Sequence, residues 1–301
     1  MQIQRVARAV AAVLALVTSQ PGAMAGDREV VIPVVTSGAS GSSGSFWASE
    51  VRVLRLRGGE PLVVRRSWVA TPAGGQQDSS AAAPEWHSDT GFMLILTGAD
   101  LLFGVTASHA AVGLRVSANA EVWWRNADTG GQGRVPEGDP DFKPCCLPGA
   151  GQLGPALSTP LLGPSVIPWM TTGNGVFRVN VGLVNPNAAP MVVTVAAAYF
   201  LSGQIPVEWA PGYQTDTERV TVTLPPWGWR QLNNFLFNAR PDCAFPACPW
   251  LTRVAPAAGR VVPAANDRPY FAFASVLYTP RNDPEFVVAV PGQLPPTLLW
   301  P

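Results

Sequence analysis

The chain is short of charge. Lys143 is its only lysine, 13% of its 301 residues are charged, and its formal net charge is zero. A surface this neutral offers no electrostatic footprint for nucleic acid and no basic patch for anionic lipid. Long apolar runs are missing as well. Beyond residue 25, Pro, Gly or Arg interrupts every apolar stretch, so none is long enough for a transmembrane helix. Helical periodicity is nearly absent over the same region, which excludes a helical bundle. Histidine is limited to His87 and His109, leaving little material for imidazole chemistry.

What is present begins with the first 25 residues. Arg5 and Arg8 form a short basic segment, Ala9 to Val17 is uncharged and apolar, Pro21-Gly22 breaks a helix, and Ala23-Met24-Ala25 is an A-x-A box. This order is that of a cleavable signal peptide. The expectation is an exported protein whose mature chain starts near Gly26, in the periplasm or outside the cell. No Cys follows the apolar core, so lipid attachment is not expected.

The 31 prolines and 29 glycines punctuate short apolar or alternating runs, the pattern of strands and turns. Runs of this kind are Val30 to Val35, Glu50 to Leu56, Leu62 to Val69, Phe92 to Leu96 and Gly113 to Arg125. Further along come Phe177 to Val184, Met191 to Phe200, Val220 to Leu224, Tyr270 to Tyr278 and Phe286 to Val290. In Phe177 to Val184 the apolar Val179, Val181 and Leu183 alternate with Asn180 and Gly182, a half-buried strand. Asn185-Pro186-Asn187 reads as a turn, with Pro presetting φ and Asn tolerating the left-handed region.

The chain also repeats itself. Ser45-Phe46-Trp47, Pro61 and Leu62 to Val69 parallel Val176-Phe177-Arg178, Pro190 and Met191 to Phe200, and Phe92 to Gly104 parallels Trp227 to Asn238. The separation is about 130 residues, as expected of a duplicated unit. Leu114 to Trp123 pairs with Tyr270 to Tyr278 at a larger separation, implying an insertion in the second copy after Phe237. The predicted organisation is signal peptide 1–25, a first β-sandwich 26–128, a Gly/Pro-rich linker 129–174, and a second β-sandwich 175–301.

The segments IPVV, GSFWASEVRV, FRVNVGLVNPN, VTLPPWGWRQLNNF and AFASVLYTPRNDPEFV resemble those of a group of exported bacterial proteins with tandem β-sandwich repeats. That group shares an F-R-x-N-x-G-L-x-N-P strand and turn, then a Pro-rich turn before a Q-L-N segment. The first copy departs from it, with Arg55-Leu56-Arg57-Gly58-Gly59 in place of the Asn-Pro turn. The resemblance implies an all-β architecture of two Ig-like sandwiches in tandem; it implies no activity.

Candidate chemistry is sparse. Cys145, Cys146, Cys243 and Cys248 are an even set in an exported chain, which reads as two disulfides with three possible pairings. The adjacent Cys145-Cys146 lacks the spacing of a zinc site. Ser108-His109 and His87 near Asp89 supply the residue types of a hydrolytic triad, but no G-x-S-x-G elbow accompanies them. Glu137, Asp139 and Asp141 lie in the predicted linker and Asp283 and Glu285 flank a proline. These are poor frames for a glycosidase pair, and neither has a calcium-loop pattern. The 11 tryptophans are the most suggestive class, because flat apolar rings with polar edges suit sugar faces. Trp123 and Trp124 point to opposite faces of one strand. Trp124, Trp209, Trp227, Trp229 and Trp250 are the candidate ligand platform, with core or seam packing as the competing role. The expected role is non-catalytic, a structural or binding module without cofactor or metal. Its partner would be a protein or a glycan at the cell envelope, and carbohydrate binding through loop tryptophans is the alternative.

Overall fold

The structure, a computed structural model, describes residues 27–40, 46–56, 61–78, 83–88, 91–128, 151–172, 177–199, 219–235, 255–265, 267–278 and 283–292. Residues 1–25, expected to be a signal peptide, all four cysteines, Asp89, Glu137, Asp139, Asp141, Trp209 and Trp250 lie outside these residues.

The protein is an all-β sandwich structure built from antiparallel sheets. The strands are β1 (Asp27–Ser40), β2 (Phe46–Arg55), β3 (Leu62–Ala70), β4 (Gln76–Gln77), β5 (Glu85–Ser88), β6 (Met93–Thr97), β7 (His109–Ser117), β8 (Ala120–Asp128) and β9 (Gly151–Pro155). They continue as β10 (Ser165–Thr172), β11 (Phe177–Asn185), β12 (Met191–Tyr199), β13 (Arg219–Leu224), β14 (Gly228–Leu232), β15 (Ala255–Pro263), β16 (Phe271–Tyr278), β17 (Asp283–Val288) and β18 (Val290–Pro291). A single helical turn, α1 (Gly98–Leu101), follows β6; Thr97 and Asp100 close a reciprocal capping box around it.

The sheets enclose two apolar cores. Around the first, β1 pairs with β7 over Asp27 to Thr36 and with β2 over Ser37 to Ser40, so one bent strand serves both layers. One layer runs β5 or β4, β3, β7, β1; the other runs β6, β2, β8, β9. Around the second core the layers run β13, β12, β15, β10, β18 and β14, β11, β16, β17. Apart from β18, which has no counterpart beside β1, the strand order is the same in both halves. The opening strands also share a device: the ladder of β1 is interrupted between Ile32 and Val35, across Pro33, and that of β10 between Ile167 and Met170, across Pro168. Proline has no N–H for the ladder and sits where the register breaks.

The alternation places Val30, Ile32, Val64, Val112 and Trp124 in the first core and Val179, Val181, Leu183, Val193 and Ala274 in the second. Three expectations need correction. The run Gly113 to Arg125 is not one strand, because β7 and β8 are separate and Leu56 N–H bonds to Asn119 O beside the break between them. The segment 129–174 is not linker throughout: Gly151–Pro155 pairs with β8 as an edge strand, and Ser165–Thr172 lies inside the second structure between β15 and β18. The Gly and Pro around them hid strands whose partners include segments far away in sequence. Asn187 does not use the left-handed region. Instead Asn185 Oδ1 accepts from Asn187 N (3.1 Å) while Asn185 Nδ2 donates to Ala189 O (2.9 Å) and Pro225 O (2.7 Å), a side-chain clamp.

Candidate functional site

The outward face of the β3–β7–β1 layer packs on the outward face of the β11–β16 layer, and the seam is aromatic. Val31, Trp68, Ala70 and Ala111 from one side bury against Val184, Trp229, Phe271 and Phe273 from the other. Glycine admits the rings on both sides. A Cβ on Gly113 would lie 2.3 Å from the Trp68 ring paired with it across the strands, and one on Gly182 would lie 2.0 Å from the Phe273 ring. Each ring therefore lies flat over a glycine, letting two sheet faces approach closely.

Polar bonds fix the seam. Trp229 Nε1 donates to Pro33 O (2.9 Å), Thr71 N to Trp227 O (3.1 Å), and Trp229 N to Thr71 O (2.9 Å). Trp227 adopts φ 49, unusual for a bulky residue, and its ring stands 5.9 Å from that of Trp68. Its backbone N–H is held by Asn187 O (2.9 Å), so the Asn185–Asn187 clamp positions the seam turn.

Beyond the aromatic patch the faces separate into a cleft of ≈ 740 Å³. The strand period explains the change of chemistry. On β11 the outward residues are Val184 and Gly182 in the seam, then Asn180 and Arg178 on the cleft wall, with Ser275 paired beside Asn180 on β16. The opposite wall carries Thr36, Trp47, His109 and Asn126, and among the described residues no Asp or Glu lines the cleft. Its buried polar groups are partly satisfied from behind. Thr36 N donates to Ser49 Oγ (2.7 Å), and Ser49 Oγ donates in turn to Asn126 Oδ1. Asn234 N donates to Asn180 Oδ1 (2.9 Å). Gln152 Nε2 reaches Glu285 O at 3.4 Å, across from one half to the other.

The described tryptophans divide among core, seam, cleft and open surface. Trp124 is fully buried in the first core, edge-on to Phe286 at 4.9 Å, so it presents no platform. Its neighbour Trp123, at 41% exposure, is the outward one; the alternation was legible but the face was assigned the wrong way. Trp229 is buried and Trp227 half-buried in the seam, where they join the halves, and Trp229 borders the cleft with little exposed surface. Trp47 reaches the cleft from outside the seam, beside Trp229 and Phe273 at the seam's edge, a position hidden in the sequence because β2 looked like any other strand opening with Phe-Trp.

His109 sits at the rim, its ring edge-on to Trp229 at 5.1 Å and Nδ1 3.1 Å from Ser108 Oγ. Burial pushes its pKa below the ordinary 6.5, so the ring is neutral at pH 7. Among the described residues no carboxylate bonds to His109, and His87 Nε2 lies 2.8 Å from Glu85 Oε1 on its own strand, β5. The two imidazoles are therefore not brought into one constellation. Among the described residues no group of three or more His, Cys, Asp or Glu converges as a metal site, and no helix is long and apolar enough to cross a membrane. Neither family models nor curated proteins gave a match to this chain.

Proposed function

We propose that this chain is an exported, non-catalytic binding module, a duplicated Ig-like sandwich whose partner or ligand occupies the cleft between the copies. The observation that carries this reading is the cleft wall itself. Asn126, Asn180 and Gln152 are all more than nine-tenths buried, yet they line an opening. Burying polar side chains costs stability unless they are fully bonded, so a purely architectural seam would be filled with apolar residues, as the Trp68–Phe273 patch is. The shared strand order and the paired proline interruptions support duplication, and the signal-peptide pattern of residues 1–25 supports export.

Carbohydrate binding is the second reading, and the cleft moves it to new residues. Trp227 and Trp229 are taken up by the seam, so the glycan-facing groups are Trp47 and the amides. The test is titration of the chain against panels of glycans and envelope proteins, repeated with a plugged cleft, Ser275→Trp. Saturable binding weakened by about tenfold or more in the plugged chain fits loss of a ligand site. Undiminished binding places the ligand elsewhere and overturns the reading. Turnover of any ligand that disappears with His109→Ala makes the protein an enzyme instead.

A further inference from the structure

The polarity of the cleft narrows the ligand, provided that the cleft is the binding site as proposed above. Asn180 Oδ1 meets a backbone N–H, which can only donate, so the amide orientation is set and its NH₂ end is the one left over. In Asn126 the oxygen is likewise taken, by the Ser49 hydroxyl that itself accepts from Thr36 N. Neither NH₂ group has a partner among the described residues, although Asn126 is 4% and Asn180 8% exposed. The two residues belong to matching Ser–Asn pairs of the two halves, with the members exchanged between the corresponding strands. Ser49 pairs with Asn126 across β2 and β8, and Asn180 pairs with Ser275 across β11 and β16. Arg178 and Arg230 add guanidinium groups to the same lining.

We infer that the cleft binds a carboxylate-bearing oligosaccharide, with the carboxylate against the amide NH₂ groups of Asn126 and Asn180. A neutral sugar hydroxyl donates as well as accepts, whereas a carboxylate only accepts and is matched by NH₂ and guanidinium donors alone. Among the described residues this lining offers these donors and holds no Asp or Glu. Charge-assisted bonds from amide and guanidinium donors are the strong ones in such a site. An acidic peptide fits less well. Extended peptides gain most of their affinity by adding to an open sheet edge, and these walls are sheet faces. Trp47 offers a flat ring beside the donors, which suits a pyranose face.

The test compares three probes on the full chain by calorimetry: carboxylated oligosaccharides (oligogalacturonate and hyaluronan fragments), the same oligosaccharides with carboxyls reduced to alcohols, and oligoglutamate. The expected result is saturable binding of a carboxylated oligosaccharide, weakened about tenfold or more by carboxyl reduction, because each charge-assisted bond contributes on that scale. The same loss is expected in Asn180→Asp, which replaces the donor with a charged acceptor. Arg230→Gln, at an exposed strand edge, supplies a variant that leaves the cores untouched. Equal binding of the reduced sugars overturns the carboxylate inference and leaves the cleft reading standing. Tighter binding of oligoglutamate overturns the saccharide. Carboxylate-dependent binding that survives Asn180→Asp, Arg230→Gln and the plug Ser275→Trp overturns both readings together. Absence of binding to all three probes overturns this inference alone, the cleft reading being decided by the plugged chain and the wider panel.

Discussion

The two halves share a strand order but lock their interiors with different chemistry. In the first, Arg66 is 3% exposed and forks onto Asp78, with Nε to Oδ2 at 2.6 Å and Nη2 to Oδ1 at 3.0 Å. Its Nη1 reaches Leu101 O (2.9 Å) and Phe103 O (2.8 Å). One guanidinium thus ties β3 to the segment after β4 and to the turn after α1. In the second, Tyr270 does the equivalent work without charge, its hydroxyl donating to Gly163 O (2.8 Å) and meeting Ser165 Oγ (2.8 Å). Burial pushes the Tyr270 pKa above its ordinary value, which keeps it neutral and a donor throughout the working range. The lesson is that the fold prescribes where its loops must be pinned and leaves open whether an ion pair or a neutral hydroxyl does it.

The comparison predicts an asymmetry. Asp78→Ala strands a buried guanidinium and should destabilise the protein by about 3–5 kcal/mol. Loss of hydrogen-exchange protection should concentrate in β3 and β7. Equal loss in β12 and β15 would show instead that the seam makes the halves one cooperative unit. Gly182→Val tests the seam itself. Its side chain would collide with the Phe273 ring, and overpacking of this kind costs about 1–3 kcal/mol. Denaturant unfolding should show that loss, and Gly113→Val, beneath Trp68, should match it if the two glycines serve one purpose.

Smaller effects follow. Tyr270→Phe removes a neutral hydrogen bond and should cost about 1 kcal/mol, well under the Asp78 effect. A larger loss would mean that the hydroxyl organises more of the second half than its two partners show. The smallest effect is with pH. His109 binds its proton less readily folded than unfolded, so its contribution is complete above pH 6.5 and declines as pH falls below that value. The thermal midpoint should drop between pH 7.5 and 5.5, and His109→Gln should flatten part of that slope. An unchanged slope would assign the acid response to other groups.

Much of this was legible in the sequence where the signal is local. Val179, Val181 and Leu183 lie in the second core as their alternation requires, and Leu62 to Val69 became β3 with a single residue added. The F-R-x-N-x-G-L-x-N-P segment held more than its turn: Arg178 and Asn180 line the cleft, Gly182 receives Phe273, Leu183 is core, and Asn185 clamps the seam turn. The polar face of that strand was visible as Asn180 and Gly182. What it faces was not. Likewise Arg66 reads as one more exposed arginine in Val-Arg-Arg-Ser, because its partner Asp78 and the carbonyls of Leu101 and Phe103 arrive only on folding.

By itself the sequence determined the all-β class, the strands with a clear local apolar pattern and the alternation that separates one side of each from the other, because these depend on neighbours a few residues apart. Tertiary structure alone decided which outward face is covered and which lines a cleft. Period-two alternation defines two faces but is silent on what packs against the second one. That depended on Trp68 finding Gly113, Phe273 finding Gly182, and the indole of Trp229 reaching Pro33. Each is a pairing of residues distant along the chain, and together they turned the candidate tryptophans of the turn into a seam and left two buried amides facing the opening.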